Sequence, residues 1–319
     1  MTEIANFTPP HPLITPVLFL VFNRLDTTKQ VFQEIRQAKP PRLYIASDGA
    51  RVSNEGDARN VSAVRDYIIE NIDWECEVKT LFRDRNLGCK YSVSGAITWF
   101  FEHEENGIIL EDDCLPSQSF FWFCEELLEK YKNDLRVWHI GGTNPVDSNC
   151  VSSEYYFSEY NRIWGWASWR RAWAVYDVKI KDWPAVSKTG VLEHLLGNSE
   201  SKKFTNLMGK VFDGEIDTWD YQWLLLRLLH GKAIIPKVNL ISNIGFGQDA
   251  THTFDEDSLL ANIEKGEILF PLKHPQYFLV DHRRDEKWKI ISNKSESLVK
   301  KFLRKLKKLR SLIVRFFFS

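Results

Sequence analysis

The chain reads as an α/β protein built on a mostly parallel sheet, and three observations carry that reading. Short apolar segments alternate with amphipathic ones through the first half of the 319 residues. The first of them, VLFLVF (17–22), is short and apolar throughout, as strands covered on both faces are. Polar or charged residues then follow the strand ends: Asn23-Arg24, Asp48-Gly49 and Glu111-Asp112-Asp113. Strand–helix alternation of this kind marks a doubly wound sheet, whose ligands bind outside the carboxyl ends of the strands.

"VLFLVF" (17–22) is the first strand. The next segment places Val31, Ile35 and Ala38 at helical spacing, with Asp26 or Thr27 as its cap. Arg42 to Ser47 is the second strand, and a helix is expected around Ala58–Asn71. "CEVKTLFRD" and "GIIL" are the third and fourth strands, separated by the helix "KYSVSGAITWFFEH". "SQSFFWFCEELLEKYKND" follows as a helix capped by Ser117 or Ser119, and "VWHIGG" as a fifth strand. The second half is less regular. It holds Trp164, Trp166, Trp169 and Trp173 within ten residues, a helix around Asp220–Leu229 stopped by Gly231, a short strand and a polar loop, "NIGFGQDATHT".

Composition narrows the classes. The chain is 44% hydrophobic and 27% charged, which is globular. A net charge of -1 excludes a generally basic nucleic-acid binder. The charge is uneven, however: residues 295–319 hold eight Lys or Arg against Glu296, so this tail is +7 and the rest is -8. Five cysteines with no C-x-x-C pair argue against a disulfide framework or a cysteine zinc site, and for a reducing compartment. No leader pattern and no membrane-spanning apolar run is evident.

Glu111, Asp112 and Asp113 are oxygen ligands suited to a hard divalent cation, Mn²⁺ or Mg²⁺, that neutralises a diphosphate. The plain alternative is a solvated acidic turn. Asp217 and Asp220, in "DTWDYQW", open a helix, where Asp is favoured as a cap and by the helix dipole. In the following loop Gly245 and Gly247 permit close backbone approach, and Thr251 and His252 are placed to close over a ligand.

"NLGCKYSVSGAITWFF" followed by "GIILEDDCLPSQSFFWF" resembles the core of GT-A glycosyltransferases, more narrowly the animal N-acetylglucosaminyltransferase I group and its bacterial relatives. The likeness covers roughly residues 16–253 and is strongest from Asn86 to Gly142. It implies a Rossmann-like α/β/α sandwich, a nucleotide-diphospho-sugar donor, UDP-sugar favoured, and inverting transfer to a glycan hydroxyl. It makes Asp113 the metal ligand, Asp112 a donor-sugar contact and Glu111 a neighbour of the nucleotide. Asp48 matches a base-recognising Asp, the alternative being a plain Asp-Gly turn, and Arg24 an Arg suited to the nucleotide or to orienting the acids, the alternative being a surface Arg. Lys90 stands where the animal enzymes have a His near the nucleotide. Trp219-Asp220 matches a Trp-Asp pair whose Asp is the catalytic base, with Asp217 held in reserve. Thr251 and His252 match a loop that orders on the donor. Trp166, in "WGW", matches a Leu-Gly-Trp beside acceptor and donor sugar; Trp219 and Asp217 complete that contact set. One of the four clustered tryptophans is expected to touch ligand and the rest to pack.

The expected organisation is an extension (1–15), a catalytic domain (16–293) and a basic tail (294–319). The domain divides into a nucleotide-sugar half (16–145) and an acceptor half (146–293). In the tail Val299, Phe302, Leu306, Leu309, Ile313 and Phe316 recur at helical spacing against Lys and Arg. That is the pattern of an amphipathic helix on an anionic membrane; a disordered tail or docking on the acidic body are the alternatives. The animal enzymes carry an N-terminal anchor, whereas this chain begins almost at its first strand. The resulting expectation is a bacterial enzyme on the inner face of the plasma membrane, acting on a surface glycan, possibly lipid-linked. Two rivals share the sheet. A sugar-phosphate nucleotidyltransferase needs a Gly-rich loop after the first strand, where this chain has "NRLDTTKQ". A non-catalytic carbohydrate- or membrane-binding protein would have no need of both Asp113 and Asp220.

Overall fold

The central strands alternate sides strictly, and that alternation builds three layers. In the computed structural model, which describes residues 7–146, 153–246, 260–261 and 263–292, the first strand β1 is Val17–Val21. Val17, Phe19 and Val21 enter one apolar layer, and Leu18 and Leu20 the other. β2 (Arg42–Ser47) repeats the division, with Leu43 and Ile45 on one side and Tyr44 and Ala46 on the other. A period of two thus sends successive side chains into separate cores.

Between these strands α1 (Leu25–Ala38) buries Val31, Phe32, Ile35 and Ala38. Its N-cap position is Arg24, not Asp26 or Thr27, and no side chain caps it. The helix ends at Lys39 in the left-handed region, ahead of Pro40, which disfavours continuation. α2 (Asp57–Glu70), the edge strand β3 (Glu77–Phe82), α3 (Gly88–His103) and β4 (Asn106–Glu111) follow as expected. β3 exposes Glu77 and Val78 and carries Lys79, so charge guards this edge.

A three-residue strand, β5 (Cys114–Pro116), comes next, and then α4 (Ser119–Lys130). Neither Ser117 nor Ser119 caps α4. Its orphan N–H groups instead donate to Glu267, from Gln118 at 3.3 Å and Ser119 at 2.9 Å. A carboxylate from far along the chain thereby meets the positive end of the helix.

β6 (Val137–Gly141), β7 (Tyr155–Ser158), β8 (Trp166–Trp169) and α5 (Arg170–Trp173) lead into three helices that sequence patterning did not single out. These are α6 (Trp183–Val186), α7 (Val191–Leu196) and α8 (Asn198–Phe212), packed with their own apolar cluster on one flank of α9 (Asp220–His230). β9 (Lys232–Pro236) and β10 (Ile241–Asn243) complete the described elements.

The large sheet has eight strands in the order β3-β2-β1-β4-β8-β6-β9-β7. Pairing is parallel from β3 through β4 and between β6 and β9; β8 and β7 run against their neighbours. This is the mostly parallel α/β/α sandwich expected. It runs continuously across residue 145, so both expected halves contribute strands to it. No helix among the described residues is long and apolar enough to cross a membrane. Residues 293–319 lie outside the described residues, and with them the basic tail.

Candidate functional site

The parallel strands β1, β2 and β4 deliver their carboxyl ends to one rim. β1 pairs with β4 so that Leu20 stands opposite Glu111, and the turn after β1 then meets the acids after β4. The Phe22 N–H donates to Asp112 Oδ2 at 3.2 Å. Arg24 Nη2 donates to Asp112 Oδ1 at 2.5 Å and to Asp113 Oδ2 at 2.8 Å. One guanidinium therefore bridges two adjacent carboxylates. Burial opposes its charge, but the two acids outweigh that and hold Arg24 above its usual proton affinity.

The acids still exceed the cation. Burial, then the charges of Asp113, Asp112 and Asp220, push Glu111 up to about 8, with Arg24 opposing. Burial raises Asp112 to about 6 against the pull of Arg24. That Asp220 acts on Glu111 places the start of α9 and the end of β4 within one electrostatic neighbourhood. Cys89 confirms the convergence: burial and then the charges of Glu111, Asp220, Asp217 and Asp48 all raise its thiol. Five of the expected site residues thus share one rim with Arg24 and Asp113.

The second, two-stranded sheet shapes Asp113. β10 pairs antiparallel with β5, setting Asn243 opposite Cys114, and the Ile244 N–H donates to the Asp113 carbonyl at 2.8 Å. The chain then passes Asp113 so closely that a Cβ on Gly245 would lie 2.3 Å from Asp113 Oδ2 and 2.8 Å from Arg24 Nη1. Gly245 is needed here for close approach, and its φ lies outside the left-handed region.

Asp48 is largely occupied by backbone donors. Its Oδ1 accepts from the N–H groups of Gly49 and Leu87, and its Oδ2 from those of Leu87 and Gly88. The carboxylate clasps the loop before α3 to the end of β2, and most of its acceptor capacity is spent on backbone. Lys90 donates its backbone N–H to Asp217 Oδ1 at 3.3 Å, which ties the first turn of α3 to the segment before α9. On that segment the Thr218 hydroxyl donates to Asp220 Oδ1, which fixes the orientation of the expected base.

Trp166 and Trp219 are corrected. Trp166 is 0% exposed and Trp219 2% exposed; they stack on each other at 5.9 Å, within a layer that includes Trp173 and Trp223. Large rings without exposed surface serve the core and offer no face to a sugar. Thr251 and His252 lie outside the described residues.

Sequence reasoning missed several supporting groups. Asn23 Nδ2 donates to Asp57 Oδ1 at 2.7 Å, and Arg51 forks onto the same buried carboxylate, anchoring the β1 turn to the start of α2. An Asp at a helix start was the available signal, but its partners on other elements have none. Among the described residues no three His, Cys, Asp or Glu are grouped as a preformed metal cage.

No family model and no curated protein sequence matches the chain. Solved structures show partial likenesses. A mannosyltransferase from Pyrobaculum calidifontis, in complex with GDP-Man and Mn²⁺, is 10% identical over 69% of this chain and 88% of its own, with a TM-score of 0.34. S. aureus TarS is 7% identical over 70% and 58%, at 0.39. A UDP-glucose pyrophosphorylase complexed with UDP-glucose is 10% identical over 70% and 90%, at 0.32. Likenesses this weak leave the description of the fold resting on the chain's own topology.

Proposed function

We propose that this chain is an inverting, metal-dependent glycosyltransferase. It moves a sugar from a nucleotide-diphospho-sugar, UDP-sugar favoured, to a hydroxyl of a bacterial surface glycan. The observation that carries this reading is the acid excess at the strand ends: Glu111, Asp112 and Asp113 share one bridging Arg24, with Asp220 close enough to act on Glu111. Such a rim is incomplete without a cation, and its residues fit Mn²⁺ or Mg²⁺. An ion of this kind takes one or two protein carboxylates and fills its shell from phosphates, so the lack of a protein-only cage is compatible with it. Asp113, open to the rim beside Gly245, is the assigned ligand. When bound, the ion supplies positive charge to the departing diphosphate.

The chain's own groups do the rest. Arg24 holds Asp112 and Asp113 in fixed positions beside each other. Asp112 and Glu111 position the donor. Asp220 accepts the acceptor's hydroxyl proton as that oxygen attacks the anomeric carbon, while the bond to the diphosphate breaks and the diphosphate leaves with the electron pair. Asp217, tied to α3, is the reserve carboxylate. Residues 16–145 are assigned to the donor and 146–293 to the acceptor. The tail at 298–319 is assigned to an anionic membrane surface on the cytoplasmic side. A nucleotidyltransferase ranks lower because the turn after β1, "NRLDTTKQ", has no glycine with which to wrap phosphates.

Thermal shift with Mn²⁺ and a panel of nucleotide-sugars tests this directly. Stabilisation is expected only when ion and donor are both present, and it should vanish in Asp113→Ala. A wild-type chain that ignores every donor in the presence of Mn²⁺ sinks the reading.

A further inference from the structure

A cleft of about 380 Å³ lies outside the acidic rim, along the solvent side of α3. Tyr91, Gly95, Thr98 and Glu102 line it from the helix, at spacings that share one face, while Ala96, Ile97, Phe100 and Phe101 bury the opposite face. Trp99 adds a ring from the helix, and Tyr176 and Asp177 form the facing wall. From Tyr91 to Glu102 the helix runs about 16 Å, long enough for more than one sugar ring.

The rings are held in place. Tyr176 stacks on Trp173 with centroids 4.1 Å apart and planes 8° from parallel. Its hydroxyl donates to the Trp219 carbonyl at 2.9 Å, one residue before Asp220. Burial, then the Asp220 charge, raise the Tyr176 hydroxyl, so the inner end of the cleft lies in the field of the proposed base. Trp173 Nε1 donates to Thr98 Oγ1 at 3.0 Å and the Thr98 hydroxyl donates to the Ser94 carbonyl at 2.9 Å, which leaves Oγ1 one lone pair with which to accept from a ligand. Asp177 takes one backbone N–H on each oxygen and retains further lone pairs. Gly95 keeps the floor low: a Cβ there would stand 2.9 Å from Arg83 Nη2.

We infer that this cleft is a binding subsite for an uncharged oligosaccharide, the part of the glycan acceptor behind its reacting hydroxyl. The inference rests on the transferase reading above for the acceptor role, but the subsite can be tested without it. Fixed aromatic rings match the apolar faces of pyranose rings, and Thr98, Glu102 and Asp177 match their hydroxyls. Glu102 and Asp177 in the lining, against the single Arg83 guanidinium that reaches the floor beside Gly95, leave the cleft net acidic and disfavour a phosphate-bearing or uronic-acid chain. The direction is set by Tyr176, which leads the bound chain toward Asp220.

Isothermal titration with chitotetraose, cellotetraose, maltotetraose and an oligogalacturonate tests this. Saturable binding of a neutral tetrasaccharide is expected, weakened at least tenfold by both Trp99→Ala and Glu102→Gln and unchanged in Asp113→Ala. Glu102 is exposed, so its variant decides the matter if Trp99→Ala does not fold. No binding of the neutral sugars, binding of the oligogalacturonate alone, or binding indifferent to Glu102→Gln overturns the subsite. Mn²⁺–donor stabilisation is measured on the same samples. A donor response without glycan binding overturns the subsite and leaves the transferase; glycan binding without a donor response supports the subsite and overturns the transferase.

Discussion

Glu111 on β4 and His139 on β6 belong to one sheet, the first partly and the second wholly buried, yet their surroundings treat charge in opposite ways. His139 is 0% exposed, stacked on Trp166 at 5.1 Å. Its ring nitrogens are paired, one with the Arg162 carbonyl at 3.0 Å and one with Trp223 Nε1–H at 3.3 Å. That pattern is a neutral imidazole, and burial accordingly pushes it down to about 3. Glu111 is pushed up to about 8 by burial together with three like charges. The tryptophan layer has paired both nitrogens of His139 internally. The acidic rim leaves its charges unbalanced, and an unsettled excess of one sign is what a ligand of the other sign can complete. A shifted proton affinity is thus no mark of function by itself; its cause separates the two regions.

The largest effect expected from breaking this contrast is on turnover. Asp220→Asn should lower kcat by roughly 10²–10⁴-fold, the usual share of a general base, and leave donor-dependent stabilisation near the wild-type value. Transfer that persists in this variant would remove Asp220 from the mechanism. Next come two stability changes that distinguish the regions. Trp223→Ala empties a site that is 0% exposed and should cost about 3–5 kcal/mol in urea unfolding. Arg24→Met removes the shared partner of Asp112 and Asp113. With the Arg24 side chain 25% exposed, the cost should fall near the low end for breaking a buried pair, about 3 kcal/mol. This loss should shrink at pH 5, where the stranded acids take up protons. Equal losses for Arg24→Met at both pH values would show that the rim is not under charge strain.

What the sequence disclosed follows the range of the interactions involved. Continuous apolar runs placed β1, β2 and β4 because burial on both faces is written in the strand itself. The acids of residues 111–113 were legible because they stand at a strand end, where this topology collects ligands. The cap on α4 was not, since Glu267 arrives from about 150 residues away and Ser117 and Ser119 offered a local answer. The clasp on Asp48 was not legible either, because the backbone N–H groups of Leu87 and Gly88 that occupy it carry no side-chain signature. Trp166 was matched to a sugar contact through the resemblance alone, and its neighbours Trp219 and His139 place it in the core. Pairing of β5 with β10, which brings Gly245 against Asp113, joins three-residue strands too short to show a period.

The smallest effects are the pH slopes, and they should have opposite signs. His139 has a native proton affinity near 3 and an ordinary value of 6.5 when unfolded. The unfolded chain therefore binds the proton more readily, and the His139 contribution is fully present above pH 6.5 and lost as pH falls toward 3. Glu111 is the reverse. Its ordinary value is 4.5 and its native value about 8, so its contribution is fully present below pH 4.5 and lost as pH rises through 8. Urea unfolding of the metal-free protein, in chelator, across pH 5 to 8.5 resolves the two. Glu111→Gln should flatten the alkaline limb and leave the acid limb unchanged. His139→Asn should flatten the acid limb at a cost in overall stability. Mn²⁺ with a bound donor should act on the alkaline limb alone, because only the rim around Glu111 gains from added positive charge. An alkaline limb that Glu111→Gln leaves intact would mean that the acids of the rim are already balanced, and that the contrast with the tryptophan layer is one of position and not of charge.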